Sequence, residues 1–195
     1  MIKSFSFFFD FSSPYAYLAH KQIRIIEKEN AIKIIYKPIL LGGLHKLSNI
    51  TAAAYIPAKT KYIIRDCKII AEKFKISFKF NTHFPINSLS IMRGALYAIK
   101  KEKLEDYCDQ FFNAYWRDNV NLSDDIMINS LLKKLNIDQN DFNKSISSQN
   151  VKDELIKLTN EAYEKGVFGA PTFIVNKKLF WGQDRLEFVL KEAAE

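Results

Sequence analysis

Three short segments carry residue types that could hold a reactive sulfur. The first is Asp10-Phe11-Ser12-Ser13-Pro14-Tyr15, where an apolar run ends and a helical pattern begins. Unpaired backbone N–H groups and the positive end of the helix dipole meet at such a junction, so it favours an anion or a thiolate. The Ser13 hydroxyl can donate a hydrogen bond to a thiolate and so lower the pKa of the thiol. The alternative is that Ser13 is only the N-cap of the helix, with Pro14 in its first turn.

A second segment, Phe168-Gly169-Ala170-Pro171-Thr172-Phe173, places a proline at the start of a predicted strand. Proline is tolerated there, and a cis bond at Pro171 would present the backbone of Ala170 outward, where an extended peptide ligand can pair with it. The alternative is a turn that does no more than lead the chain into the strand.

The third segment is Trp181-Gly182-Gln183-Asp184, another point where a strand ends and a helix begins. Its backbone N–H groups can hold a carboxylate, and the Asp184 side chain can hold an ammonium. The alternative is structural, because Asp184 followed three residues later by Glu187 is the pattern of an ordinary capping box.

The histidines do not support a metal site. His20, His45 and His83 share no metal-ligand spacing with one another or with the cysteines, so we predict no metal cofactor. His20 falls on the polar face of the first predicted helix and is expected to be solvated. His83 precedes a turn at Pro85 and is the more plausible pocket residue.

The composition indicates one folded domain with a small anionic ligand as its expected partner. Of the 195 residues, 48% are hydrophobic and 26% are charged, which is enough apolar material for a core and too little charge for a disordered chain. The formal net charge is +7. The basic residues are scattered along the chain rather than clustered, so no nucleic-acid partner is expected.

The cysteines and the hydropathy pattern indicate a protein of the reducing cytoplasm. Cys67 and Cys108 are too few for a disulfide framework and lie within apolar stripes, so both are expected in the core. The apolar run near the N-terminus breaks at Asp10, well short of a signal peptide. No uncharged stretch approaches the roughly 18 residues that a membrane span needs, so no membrane partner is expected.

Periodicity supplies the elements that position the three segments. Alternating Phe5, Phe7 and Phe9 predict a buried central strand, and the pattern after Ser13 predicts a helix. The predicted elements, in chain order, are strand 4–9, helix 14–29, strand 32–38, a helical block at 50–165 in which Ser123 caps one helix, strand 172–175, a turn at 176–177, strand 179–181 and a closing helix capped by Asp184.

This order of elements predicts an α/β protein with a thioredoxin-like fold. A βαβ unit and a ββα unit share one mixed sheet, and a large all-helical insertion lies between them. We expect a single domain over residues 1–195, with the thioredoxin-like part at about 1–45 and 167–195 and the insertion at about 50–165.

Taken together and in order, the three segments resemble the 2-hydroxychromene-2-carboxylate isomerase family, which belongs with kappa-class glutathione transferases and DsbA-type thioredoxin folds. Each motif is weak alone, but their order and separations are fairly specific, and the resemblance covers nearly the whole chain. The segments that carry it are 9–15, 166–172, 180–185, Lys37-Pro38-Ile39-Leu40-Leu41-Gly42-Gly43, Pro57-Ala58-Lys59, Phe84-Pro85-Ile86-Asn87 and Met92-Arg93.

The resemblance implies a glutathione-dependent enzyme. Ser13 would contact the glutathione sulfur at the position where DsbA-type relatives carry a cysteine. Ala170 would pair with the glutathione backbone before a cis Pro171. The γ-glutamyl end of glutathione would be held by Trp181, Gly182, Gln183 and Asp184. Dithiol exchange through the protein's own residues is excluded, because Ser12-Ser13-Pro14-Tyr15 stands in place of C-x-x-C.

The reaction that the resemblance implies is reversible addition of a thiolate to an unsaturated aromatic 2-oxo acid, followed by rotation and elimination. The resemblance assigns the substrate contacts to Tyr15, Lys46, Lys59 and Phe84, with the lysines attracting the anionic substrate. The chain departs from the family at Thr51-Ala52-Ala53-Ala54-Tyr55-Ile56, where members carry polar residues that include an asparagine. This departure concerns the contact with the acidic substrate rather than the glutathione site.

Two alternatives stay open at the level of sequence. One is a kappa-like glutathione transferase that acts on a different electrophile. The other is a non-catalytic protein that binds glutathione or an extended peptide in the same cleft. The resemblance also implies a possible homodimer.

Overall fold

A four-stranded mixed sheet forms the centre of the molecule. Its strands are β1 (Lys3–Phe9), β2 (Ile32–Pro38), β3 (Thr172–Val175) and β4 (Lys178–Trp181), in the order β2-β1-β3-β4. In this computed structural model, which describes residues 3–29 and 32–195, β1 pairs in parallel with β2 and antiparallel with β3, and β3 pairs antiparallel with β4. The sheet confirms the predicted βαβ and ββα units.

The phenylalanines of β1 explain its central place in the sheet. Phe7 and Phe9 are fully buried on one face, and Phe7 stacks on Phe173 of β3 with ring centroids 5.5 Å apart. Phe8 points to the opposite face and belongs to a smaller buried cluster with Ile39 and Leu44. A strand that is apolar on both faces must be covered on both sides, so β1 takes an interior position.

One helix connects β1 to β2, and a long helical segment connects β2 to β3. The first is α1 (Pro14–Glu29). Residues 41–164, all of which the structure describes, contain no strand. Their helices are α2 (Leu41–Leu47), a 3₁₀ turn (Ala53–Tyr55), α3 (Pro57–Lys73), α4 (Leu89–Lys100), α5 (Leu104–Trp116), α6 (Asp125–Lys134), α7 (Gln139–Ser147) and α8 (Gln149–Glu164).

The start of α6 corrects one sequence prediction. The N-cap is Asp124, whose side chain accepts a hydrogen bond from the Ile126 N–H at 2.8 Å, and not Ser123. Both residue types are good caps, so the sequence pattern alone does not choose between them. The backbone of Asp124 is extended (φ −100°, ψ 117°), which is the cap conformation, and that decides the choice.

The end of the chain corrects a second prediction. Asp184 does not cap the closing helix, because the residues after Gly182 first form a 3₁₀ turn (Gln183–Arg185) and α9 (Leu186–Ala194) begins only after it. Gly182 has φ +111°, a value that favours glycine, and it starts this tight turn. The Asp184 carboxylate instead lies 3.4 Å from the Arg185 guanidinium.

The helical segment and the sheet share one hydrophobic core. Phe9 at the end of β1 contacts Phe112 of α5, with ring centroids 5.9 Å apart. The indole N–H of Trp116, also in α5, donates a hydrogen bond to the Phe11 carbonyl at 2.8 Å. This hydrogen bond is buried, and it attaches the loop after β1 to α5. The helical segment is therefore part of the structure that holds this loop.

Candidate active site

Ser13 lies at the junction of β1 and α1, and its hydroxyl has two partners. The Ser13 Oγ accepts a hydrogen bond from the Ala16 N–H at 3.2 Å, as expected of an N-cap. The same hydroxyl donates to the Ala170 carbonyl at 2.8 Å, 157 residues away in sequence. Ser13 is buried. The structure therefore brings the first and second segments into direct contact through this one side chain.

Asp10 organises the loop that carries Ser13. Its buried carboxylate accepts hydrogen bonds at 2.8–2.9 Å from the Ser12 N–H and hydroxyl, the Leu41 N–H and the Ser88 hydroxyl. Burial raises the pKa of Asp10, and the four hydrogen bonds oppose that rise. All four partners are donors, so the ionised form fits the site. Asp10 thereby ties this loop to the starts of α2 and α4.

The second segment has the predicted cis peptide bond between Ala170 and Pro171. The three carbonyls of residues 169–171 all accept hydrogen bonds: Gly169 from the Thr172 hydroxyl at 2.7 Å, Ala170 from the Ser13 hydroxyl at 2.8 Å and Pro171 from the Gly182 N–H at 3.0 Å. The Ala170 N–H has no acceptor in residues 3–29 and 32–195. This N–H is available to a ligand.

The third segment stands directly beside the second. The Gly182–Pro171 hydrogen bond joins the two, and the Trp181 ring packs on Phe168 with ring centroids 4.9 Å apart. Trp181 keeps 53% of its surface exposed, so its indole can cover a bound molecule. Gln183 is buried, and its side-chain oxygen accepts a hydrogen bond from the Gln22 amide at 3.2 Å.

A cleft of about 850 Å³ opens next to these segments, between α1, α3 and the start of α9. Its lining includes seven of the predicted site residues, namely Tyr15, Ala170, Pro171, Trp181, Gly182, Gln183 and Asp184. Ser13 is not one of the lining residues, but its hydroxyl is hydrogen bonded to the carbonyl of Ala170, which is.

Helix α3 contributes four cleft residues that the sequence did not predict as site residues, Tyr62, Asp66, Ile70 and Lys73. Asp66 accepts hydrogen bonds from the Tyr15 hydroxyl at 2.7 Å and from the Tyr62 hydroxyl at 3.4 Å. Burial and the bond to Asp66 raise the pKa of Tyr15, so its phenol stays a neutral donor. The available signal was the i, i+4 spacing of Tyr62 and Asp66, which places both on one face of a helix.

Three predicted substrate contacts do not line this cleft. Lys46 and Lys59 are exposed side chains outside its lining. Phe84 packs on Phe80 and Trp116, with ring centroids 5.0 and 5.8 Å away, and is part of an aromatic cluster. The cleft therefore contains six of the seven predicted glutathione contacts and one of the four predicted substrate contacts, Tyr15.

Comparison with known proteins places the chain in a family. The model of the DSBA-like thioredoxin domain matches residues 5–194. The chain belongs to this family. A solved 2-hydroxychromene-2-carboxylate isomerase shares its fold with a TM-score of 0.89 and 26% sequence identity, over 98% of this chain and 94% of that one. The predicted thioredoxin-like fold is therefore confirmed.

Relatives of this DSBA-like domain are named as enzymes. The 2-hydroxychromene-2-carboxylate isomerase of Sphingobium xenophagum is 27% identical over 195 residues, which is 97% of each chain. Glutathione S-transferase kappa 1 of Rattus norvegicus is 26% identical over 197 residues, covering 93% of this chain and 87% of that one. The chain is an enzyme of the family that includes these isomerases and transferases.

The cysteines of this DSBA-like domain lie away from the cleft. Cys67 in α3 and Cys108 in α5 are fully buried, which confirms their predicted place in the core. Burial raises the pKa of both thiols. Ser12-Ser13-Pro14-Tyr15 stands at the start of α1 instead of a dithiol motif, so this position offers no thiol pair for exchange.

One histidine prediction is wrong for this DSBA-like domain, and His83 does not fulfil the role of a cleft residue. His20 is fully buried and not solvated: its Nε2 lies 2.8 Å from Asp109 Oδ1, and its Nδ1 lies 3.2 Å from the Tyr36 hydroxyl. The polar face on which it falls is covered by α5, which a helical pattern cannot reveal. His83 is exposed and does not line the cleft.

The described residues of the DSBA-like domain contain neither a candidate metal centre nor a helix that could span a membrane. Within residues 3–29 and 32–195, no group of three or more His, Cys, Asp or Glu side chains could hold a metal ion. None of the helices in these ranges combines the length and the apolar character that crossing a bilayer requires.

Proposed function

We propose that the protein is a glutathione-dependent isomerase of the 2-hydroxychromene-2-carboxylate type, with Ser13 as the residue that activates the thiol. The observation that supports this most is the position of the Ser13 hydroxyl, 2.8 Å from the carbonyl of Ala170, next to a cis proline at the edge of a large cleft. A hydroxyl and an unpaired N–H at this edge suit a cysteinyl ligand.

The residues around the cleft fit the parts of glutathione. The backbone of Ala170 can pair with the cysteinyl residue. The γ-glutamyl end carries an ammonium and a carboxylate, and the exposed Asp184 carboxylate and the N–H groups of Gln183 and Asp184 can hold them. The half-exposed Trp181 ring can cover the ligand. Ser13 would donate its hydroxyl hydrogen bond to the sulfur, which lowers the thiol pKa.

Bound glutathione would supply a thiolate that adds reversibly to the double bond of an unsaturated 2-oxo acid. The chain's part in this reaction is to hold the sulfur ionised and in place. Ser13 provides a hydrogen bond from the first turn of α1, whose dipole also favours a negative charge. Asp10 fixes the loop that carries Ser13, so the hydroxyl is positioned before the ligand arrives.

Replacement of Ser13 by alanine tests this function. Ser13→Ala removes one charge-assisted hydrogen bond to the thiolate, so the pKa of bound glutathione should rise and turnover should fall by roughly 100-fold. Thiolate absorbance as a function of pH and steady-state kinetics measure the two effects. Ser123→Ala, an exposed serine outside the cleft, is the matched control and should behave as wild type.

Binding of glutathione can be tested separately from chemistry. Glutathione at millimolar concentration should raise the melting temperature of the protein, because a ligand that binds only the folded state stabilises it. An unchanged melting temperature would reject glutathione as the cofactor. Binding without thiolate absorbance near neutral pH would reject Ser13 as the activating residue.

A kappa-type glutathione transferase is the second candidate. It is favoured by the absence of Lys46, Lys59 and Phe84 from the cleft lining, which leaves the substrate contacts of the isomerase outside the glutathione cleft. Assays with an unsaturated aromatic 2-oxo acid and with an aryl chloride distinguish the two activities. Measurable turnover of only the aryl chloride would assign the transferase.

Assembly and cellular location remain predictions, the first from the resemblance and the second from the cysteines and the hydropathy pattern. We propose a homodimer in the cytoplasm. Sedimentation velocity at micromolar concentration tests the first point, since a single species with the mass of one 22.7 kDa chain would contradict it. Cell fractionation tests the second.

A further inference from the structure

The Ser13 hydroxyl has a single proton, and the structure commits that proton to a backbone carbonyl. Ser13 Oγ donates to the Ala170 carbonyl at 2.8 Å and accepts from the Ala16 N–H at 3.2 Å. A hydroxyl carries one donor, so it cannot also donate to a ligand sulfur without leaving the carbonyl. Thiol activation by Ser13 therefore requires the hydroxyl to change its acceptor.

Ala170 is the residue whose bonding this change would disturb. In the segment 169–171, the carbonyls of Gly169 and Pro171 already accept from Thr172 and Gly182, and proline has no N–H. Ala170 alone in this segment can form both hydrogen bonds of an antiparallel pair with one ligand residue. The ligand's N–H would donate to the same carbonyl that Ser13 now occupies.

The Ala170 carbonyl couples ligand binding to the position of the Ser13 hydroxyl, because either the hydroxyl or the ligand's N–H can donate to it. If the hydroxyl turns to the sulfur and nothing replaces it, the partly buried Ala170 carbonyl loses its donor, which opposes the turn. If the ligand brings a backbone N–H to the carbonyl, the carbonyl keeps a donor and the hydroxyl is free. The charge-assisted hydrogen bond from Ser13 then stabilises the thiolate, and no carbonyl is left without a donor.

We propose that Ser13 is a ligand-operated hydrogen-bond switch, which moves from the Ala170 carbonyl to the sulfur only when the thiol belongs to a cysteinyl residue with a free backbone N–H. This inference rests on the proposed function and extends it. It assigns the site to cysteinyl peptides and excludes activation of simple alkyl thiols. The cysteinyl N–H thereby contributes to the reactivity of the sulfur as well as to binding.

An ester analogue of glutathione tests the switch. Replacing the γ-glutamyl–cysteinyl amide by an ester removes the cysteinyl N–H without adding bulk. The pKa of the bound thiol, measured from thiolate absorbance, should be at least about one unit higher for this analogue than for glutathione. At a given pH, the thiolate to thiol ratio of the bound analogue is then at least about tenfold lower. An analogue with the ester at the cysteinyl–glycine linkage is the matched control and should behave as glutathione does.

Ser13→Ala completes the comparison. Without the hydroxyl, the difference between glutathione and the first ester should disappear. A pKa difference of the same size in wild type and Ser13→Ala would overturn the switch, as would equal pKa values for the two ligands in wild type. If the first ester binds too weakly to titrate, the change of each dissociation constant between neutral and alkaline pH replaces the pKa, because a ligand whose thiol pKa is lowered on binding binds more tightly as the pH rises.

The failure of the switch is distinct from the failure of the proposed function. If glutathione itself neither binds nor shows a lowered thiol pKa, the proposed function fails and the switch fails with it. If glutathione binds with a lowered pKa and the first ester does the same, the glutathione site stands and only the switch is rejected. A lowered pKa for bound 2-mercaptoethanol would also reject the switch.

Discussion

At the scale of single residues, Asp10 is the structural centre of the candidate site. It is fully buried, yet each of its oxygens accepts two hydrogen bonds, and these come from three parts of the chain. Asp10 lies in the first of the three segments, but the sequence predicts no role for it. Its partners Leu41 and Ser88 lie 31 and 78 residues away, and no local pattern connects them.

Asp10→Asn should destabilise the protein and disturb the Ser13 loop. An asparagine replaces one carboxylate oxygen by an NH₂ group, which faces two donors and leaves them buried without an acceptor. The cost is roughly 2–5 kcal/mol of unfolding free energy. Ser88→Ala removes a single donor and should cost about 1–2 kcal/mol. Urea unfolding measures both changes. An Asp10→Asn protein as stable as wild type would show that the carboxylate does not hold the loop.

At the scale of elements, sequence patterns predicted strands and helices well and their ends less well. The alternating phenylalanines of β1 and the helical stripes between 50 and 165 depend on the core, which the whole fold enforces. The starts of α6 and α9 depend on one or two backbone angles. Asp124 rather than Ser123 has the cap conformation, and the φ of Gly182 delays α9 beyond Asp184.

The corrected cap of α6 gives a direct comparison of neighbouring residues. Asp124→Ala removes the side chain that accepts from Ile126 and should lower the free energy of unfolding by about 1 kcal/mol. Ser123→Ala should leave it within experimental error. Thermal or urea unfolding checks both. The reverse order of the two effects would restore the original assignment of the cap.

Two helical glycines should respond oppositely to alanine. A Cβ at Gly94 of α4 would collide with the Tyr107 hydroxyl and lie 2.7 Å from Phe142 Cζ, both in the core. Gly94→Ala should therefore destabilise by about 1–3 kcal/mol, despite the better helix propensity of alanine. Gly42 of α2 has nothing within 4 Å of such a Cβ, so Gly42→Ala should stabilise by up to about 1 kcal/mol. Equal effects in urea unfolding would contradict this packing.

At the scale of the whole molecule, the cleft is formed by parts of the chain that lie far apart in sequence. Tyr15 comes from α1, Asp66 from α3, Ala170 from the loop before β3 and Asp184 from the turn before α9. Motifs predicted the members at strand ends, because strand ends and helix starts attract ligands in this kind of sheet. The face that α3 turns toward the cleft depends on its packing against α1, which the sequence does not encode locally.

His20 of α1 joins the helical segment to the sheet, because its ring contacts Asp109 of α5 and Tyr36 of β2. Its burial makes the free energy of unfolding depend on pH. Burial lowers the pKa of His20 in the folded protein, although Asp109 opposes the shift. Lys21, Arg24 and the Tyr36 hydroxyl also face it. The unfolded chain therefore binds this proton more readily, and the free energy of unfolding should fall as pH decreases below about 6.5, by up to about 1.4 kcal/mol per pH unit.

His20→Gln tests this linkage. The variant keeps a donor and an acceptor but cannot take up a proton, so its free energy of unfolding should fall less steeply between pH 7 and pH 5. Burial also lowers the pKa of His45, but that residue is present in both proteins and cancels in the comparison. A His20→Gln slope equal to that of wild type would reject the assignment.

The burial of Cys67 and Cys108 has a consequence for spectroscopy. Both thiols are fully buried with raised pKa values, so neither contributes a thiolate signal near neutral pH. Any thiolate absorbance that appears on mixing the protein with a thiol then belongs to the added ligand. The protein's own thiols add no thiolate absorbance to the background, so a titration of the bound sulfur needs no cysteine-free variant.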